Sequence, residues 1–197
     1  MAIAQEEVII AQEEVIGDFL HDIITSDELL SFHATIYPEK DTWVRLAYES
    51  LDNVVWTKSG VDFVEALREF AKDTTKSCWV SVAEYKKPQV SNMNVAVVNC
   101  NFLCIPSSSN KADGDLVDEI VSYCKRSGMF TPSAIVNAFD SYYVEWFYVE
   151  PIKGSSIGRW QKMQKKLCQM FKRFNPIASF APHAMLRVTG FRSNDNV

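Results

Sequence analysis

Leu103-Cys104-Ile105-Pro106, Val136-Asn137-Ala138-Phe139-Asp140-Ser141-Tyr142-Tyr143-Val144-Glu145-Trp146 and Met185-Leu186-Arg187-Val188-Thr189-Gly190 are the stretches whose reading decides the fold. Each is dense in β-branched or aromatic side chains, the composition of pleated, half-buried backbone. Working outward, residues 94–105 and 78–85 read as two strands joined by the polar loop 86–92, and residues 133–152 as a strand pair turning around Phe139-Asp140-Ser141. Residues 185–188 are a last strand. Between them the period changes to that of helices. Ser26-Asp27-Glu28 suits the start of a short helix, residues 61–73 place Phe63, Leu67, Phe70 and Ala71 on one side, and residues 115–127 stop at Gly128. The strongest helix spans 158–174, with Trp160, Met163, Leu167, Met170, Phe171 and Phe174 along its expected buried side. Irregular alternation of strands and helices predicts an α+β fold, a central antiparallel or mixed sheet flanked by helices. That sheet should include Val97, Val136, Val144 and Leu186.

The chain has 197 residues, 47% hydrophobic and 23% charged, enough to bury a full core. Glu6, Glu7, Glu13 and Glu14 stand where a signal peptide needs basic residues, and no apolar run approaches the roughly 18 residues of a membrane span. A cytoplasmic location without membrane contact is therefore expected. Cys78, Cys100, Cys104, Cys124 and Cys168 form no Cys-x-x-Cys pair, and His21, His33 and His183 lie far apart. They read as ordinary core or surface residues, so no metal and no cofactor is expected.

The net charge of −5 conceals a polarity. Residues 1–70 carry 15 acids and 4 bases, whereas residues 151–197 carry nine bases and the single acid Asp195. The basic end should face a polyanion, or attract the acidic end of this chain or of a second copy. Near the N-terminus Ala4-Gln-Glu-Glu-Val-Ile recurs from Ala11, and Ala4, Val8, Ala11, Val15 and Phe19 form a helical stripe backed by glutamates. Two organisational units are expected, an acidic helical part over 1–76 and an α+β core over 77–197, packed as one body.

From about Cys78 to Asn194 the ordered segments resemble the archaeo-eukaryotic-type primase superfamily, in particular the replication primases of plasmids and other mobile elements. Residues 78–85 match that family's aromatic-rich first strand, 95–106 the strand ending in Asp-x-Asp, and 135–146 the strand and turn bearing Ser-Gly-x-Gly-x-His and an aromatic pair. Residues 160–174 match its long helix and 186–190 its closing Leu-Arg-x-Pro-Gly-Thr. The resemblance implies a primase-like, RRM-like catalytic-domain fold and a part in DNA replication.

The departures concern the chemistry. The resemblance puts the first two metal-binding acids at Cys104 and Pro106, the histidine at Tyr143, and two phosphate-approaching glycines at Phe139 and Ser141. The third acid falls within 175–181, which reads Asn-Pro-Ile-Ala-Ser-Phe-Ala. Nucleotidyl transfer needs carboxylates to hold two divalent ions, and hard magnesium gains little from a thiol and nothing from a proline side chain. The expectation at this level is a protein that is not an enzyme, a DNA-binding or accessory factor in replication of a plasmid, phage or other mobile element.

The candidate nucleic-acid-binding residues are Arg159, Lys162, Lys165, Lys166, Lys172 and Arg173 on the basic helix, with Arg187 where the family places a nucleotide-facing arginine. A solvated helix face normally mixes signs, and here no acid occurs from Lys153 to Asn194. The expected partners are single- or double-stranded DNA, replication proteins of the same element, or a second copy of the chain. Two other readings stay open: a protein-interaction module on the same fold, and an active primase-polymerase with a relocated metal site.

Overall fold

A computed structural model describes residues 26–38, 41–70, 77–107, 113–138, 141–177 and 179–188. The N-terminal repeat at 4–19, His21, Phe139, Asp140, Thr189 and Gly190 lie outside them. The chain runs α1 (Ser26–Ile36), β1 (Trp43–Tyr48), β2 (Val54–Lys58), α2 (Val61–Phe70), β3 (Cys78–Tyr85), β4 (Val95–Pro106), α3 (Asp113–Arg126), β5 (Ala134–Asn137), β6 (Ser141–Lys153), α4 (Ile157–Met170) and β7 (Met185–Arg187). One antiparallel sheet takes the order β2-β1-β3-β4-β6-β5, with β7 on β3. Val97, Val136, Val144 and Leu186 all lie in it, as the sequence predicts.

β3 is the axis of the sheet, and its residues other than half-buried Trp79 are buried. A strand covered on both faces reads as a continuous apolar run, which Cys78-Trp-Val-Ser-Val-Ala-Glu-Tyr85 nearly is. Around it Val44, Leu46, Phe63, Leu67, Val80 and Val82 form one core cluster, while Leu103, Ile105, Ile120, Val144, Leu167 and Phe171 form a second around β4, β6, α3 and α4. Each such side chain, fully buried, contributes about 1.5–3 kcal/mol.

The reading of 1–76 as helical differs from the structure at β1 and β2, which extend the same sheet through the pairing of β1 with β3. Strands of six and five residues carry too little pattern to declare themselves, and β2 at the sheet edge is only partly buried. Their conformation is set by the partner strand rather than by local preference.

Geometry requires glycine at Gly128 and Gly154, each for a different reason. Gly128 ends α3 at φ +64°, the left-handed stop that its position suggests. At Gly154, between β6 and α4, a Cβ would lie 2.0 Å from the Val95 carbonyl oxygen, so only glycine lets the chain cross there.

The sheet forks beside β3. Along one edge of that strand, Trp79–Ser81 pair with β7 and Ala83–Tyr85 with β4. Beyond Val98, β4 leaves β3 and pairs on one side with β6 alone, so its opposite edge needs other partners.

Candidate functional site

The open edge of β4 is closed by side chains. Trp160 Nε1 donates to the Cys100 carbonyl at 2.8 Å, and the Gln164 amide holds Phe102 from both sides, accepting from its N–H at 3.2 Å and donating to its carbonyl at 2.5 Å. Gln164 also accepts from Asn101 Nδ2 at 2.7 Å. The Ile177 N–H then donates to the Cys104 carbonyl at 2.7 Å. The Gln164 amide thus occupies the place of a missing strand, offering one donor and one acceptor in the plane of the sheet. Trp160, Gln164, Leu167 and Phe171 are the buried stripe of this helix. Met163, expected inside, is 39% exposed, and its neighbour Gln164 is buried instead.

Five sequence-predicted positions come together at the far end of β4. Cys104 is the cross-strand partner of Tyr143, Pro106 is the partner of Ser141, and Ile177 of the 175–181 stretch bridges to Cys104. The third strand, β7, lies across the fork on β3. Two of the three motif segments and the 175–181 stretch therefore meet at the end of β4, where the resemblance places the catalytic acids.

Cys104 is half-buried and its pair Tyr143 packs against the first core cluster. Among the described residues no group of three or more His, Cys, Asp or Glu side chains is arranged to hold a metal ion. The positions implied for the metal-binding acids hold a thiol at Cys104, a proline at Pro106 and no carboxylate from 175 to 181, which does not fit hard cations.

The carboxylate that sequence reasoning passed over is Glu145. It lies two residues beyond Tyr143, on the same face of β6 because side chains alternate, and pairs with Phe102. It is 3% exposed, its Oε1 has no hydrogen-bond partner, and burial pushes its pKa up to about 8. His33 on α1 is also buried with neither ring nitrogen partnered, and burial lowers its pKa from 6.5 to about 4. Both groups are held neutral near pH 7. The only signal in sequence was the parity of Glu145 with Tyr143.

The stability consequence follows from these directions. Glu145, with a folded pKa raised from 4.5, contributes fully below pH 4.5 and loses that contribution as pH rises toward 8. His33, with a lowered pKa, contributes fully above pH 6.5 and loses it as pH falls toward 4. Between 4.5 and 6.5 the two slopes oppose. Glu145→Gln, which fixes the neutral form, should leave stability at pH 5 within about 1 kcal/mol and raise it at pH 9 by about 3 kcal/mol. Denaturant melts of the two proteins at both pH values test this, and equal shifts at both would show that the carboxyl is not buried as a neutral group.

Burial of the Trp160 stripe turns the other side of α4 to solvent, since successive residues step by about 100°. Arg159, Lys162, Lys165 and Lys166 are exposed there, and Lys172 is exposed just past the helix end. The remaining two candidates are engaged within the fold. Arg173 pairs with Glu119 of α3 and lies 5.5 and 5.1 Å from the Tyr123 and Phe174 ring centres. Arg187 donates to Ser77 Oγ and lies 5.5 Å from the Trp79 ring centre. The structure thus exposes five of the seven predicted cations along α4 and just beyond it, and gives the half-exposed Arg173 and Arg187 partners within the fold. Among the described residues no helix is long and apolar enough to cross a membrane.

A seven-stranded antiparallel sheet flanked by helices, with two of the three motif segments paired at the end of β4 and the third on β3, matches a primase-like α+β fold. Among solved structures it is similar to the AEP domain of the cyanophage S-2L primase-polymerase, with a TM-score of 0.53 and 14% identity over 82% of this chain and 80% of that one. No protein-family model and no curated protein matches the sequence. The structural match corrects one expectation from sequence, that of a protein that is not an enzyme. The fold is shared with a domain of a primase-polymerase, and the substitutions at Cys104, Pro106 and Tyr143 do not show inactivity. Those substitutions describe which ligands are missing from the expected places, whereas activity depends on every group that can reach the substrate.

Proposed function

We propose that the protein is a primase-related factor that binds DNA through the exposed face of α4, in the replication of the plasmid, phage or other mobile element that encodes it. The observation that carries this reading is the one-signed charge of that face. Arg159, Lys162, Lys165, Lys166 and Lys172 are exposed together, and no acidic residue occurs from 151 to 194. Cations confined to one face of a rigid helix meet phosphates without reordering the chain, and each contact releases a condensed counterion. The primase-like fold and the resemblance of the ordered motifs support the replication setting.

Phosphate contacts carry no base information, so binding should be weakly sequence-dependent and strongly salt-dependent. Fluorescence anisotropy with labelled single- and double-stranded oligonucleotides over a salt series tests this. The expected result is a linear fall of log affinity with log salt, with a slope near −0.9 per contact on duplex, or about −4 to −5 for five contacts. No binding at low salt would remove the DNA reading and leave the acidic and basic ends of the chain as protein-docking surfaces.

A further inference from the structure

We propose that the acidic repeat of residues 4–19 docks on the exposed face of α4 in its own chain and competes there with DNA, an inference that rests on the basic-face reading and names what regulates it. The repeat lies outside the described residues, and its sequence supplies the pattern. Residues 1–25 hold Glu6, Glu7, Glu13, Glu14, Asp18 and Asp22, and the first Lys or Arg of the chain is Lys40. Residues 151–194 hold no acid. Segments of opposite single sign attract, and pairing them relieves the self-repulsion of each.

The two segments also match in spacing. On α4, Arg159, Met163 and Lys166 stand at i, i+4 and i+7, which puts them in one row of the helix surface. All three are exposed, so Met163 is an apolar side chain set between cations in solvent. At helical spacing Glu7, Ala11 and Glu14 make the same row of charge, apolar and charge with the sign reversed. The outer charges of both rows are seven residues apart, about 10.5 Å along a helix. Ala11 set against Met163 therefore brings Glu7 and Glu14 each beside a cation in a single register. A phosphate backbone alone gives Met163 no apolar partner.

The chain is long enough to close this contact on itself. α1 starts at Ser26, and its Phe32 meets Phe147 of β6 edge-on with ring centres 5.7 Å apart. Phe147 is the cross-strand partner of Cys100, whose carbonyl accepts from Trp160 of α4. One strand pair thus separates α1 from α4. Extended, residues 20–25 cover about 20 Å, and a helix over 4–19 covers about 24 Å more. Docked there, the repeat lowers the apparent DNA affinity to the extent that the face is occupied.

Two measurements on the full chain test this. Zero-length carbodiimide coupling at low salt, read by peptide mass spectrometry on a mixture of ordinary and isotope-labelled protein, should link Glu6, Glu7, Glu13 or Glu14 to Lys162, Lys165, Lys166 or Lys172 within one copy. Excess duplex DNA should suppress those links. In anisotropy with a labelled duplex, the Glu6→Gln, Glu7→Gln, Glu13→Gln, Glu14→Gln variant should bind about tenfold tighter than the parent at low salt. The Asp52→Asn, Asp62→Asn, Glu65→Gln, Glu69→Gln variant removes as much charge from exposed positions elsewhere and should stay within about threefold of the parent. Absent links, links only between differently labelled copies, or equal gains in the two variants overturn docking within the chain. If the four-lysine variant nonetheless loses DNA affinity, the basic-face reading stands without the repeat. If links form but neither the parent nor the glutamate variant binds DNA at low salt, the competition and the DNA reading fall together.

Discussion

Replacing Lys162, Lys165, Lys166 and Lys172 together by glutamine should lower the affinity of the protein for DNA at least a hundredfold at moderate salt. Each side chain is exposed, so each contact is worth several tenths of a kcal/mol to about 1, and four of them add to roughly 3 kcal/mol. That sum is a factor of about a hundred. The magnitude of the salt slope on duplex should fall by about three to four at the same time. Stability should not change, because Trp160, Gln164, Leu167 and Phe171 hold the helix from its other side. Anisotropy measured beside a thermal melt separates the two effects. Undiminished affinity in a normally folded variant would place any DNA contact elsewhere on the molecule.

The largest effect on stability is expected at Gln164 rather than at a large apolar residue. Gln164→Leu keeps the volume close and gains about 1–2 kcal/mol of apolar burial, but it strands the N–H and carbonyl of Phe102 and the amide of Asn101 inside the protein. Each unpaired buried group costs about 1–3 kcal/mol, so a net loss of about 3–5 kcal/mol is expected. The melting temperature should fall by about 10 °C or more, read by tryptophan fluorescence. Trp160→Phe offers the contrast, since it removes one bond, to Cys100, and should cost about 1–2 kcal/mol. A Gln164→Leu variant as stable as the parent would mean that the edge of β4 finds other partners.

Both predictions draw on the same helix, and they show where sequence was sufficient and where it failed. The position of the helix, the exposure of Arg159, Lys162, Lys165, Lys166 and Lys172, and the burial of Trp160, Leu167 and Phe171 follow from a 3.6-residue period, although the helix ends at Met170 and a 3-10 turn replaces its expected last residues. The period also puts residue 164 on the stripe, four beyond Trp160 and three before Leu167. Chemical type argued against it, because an amide inside a core is unfavourable unless it is hydrogen-bonded. The bonds that make it acceptable come from strand β4, some sixty residues away in sequence. Met163 moved outward for the same reason.

By itself the sequence determined the α+β class, the strands from Cys78 onward, the stop at Gly128 and the one-signed charge of residues 151–194. These are local quantities, set by side-chain period, backbone freedom and composition. Only the tertiary structure decided that β1 and β2 join the sheet, that Cys104 faces Tyr143 with Ile177 alongside, that Arg173 and Arg187 are held by Glu119 and Ser77, and that Glu145 is buried without a partner for one oxygen. Each of those depends on which distant backbone groups lack partners once the sheet forks, and a buried polar group is stable only where that need is met.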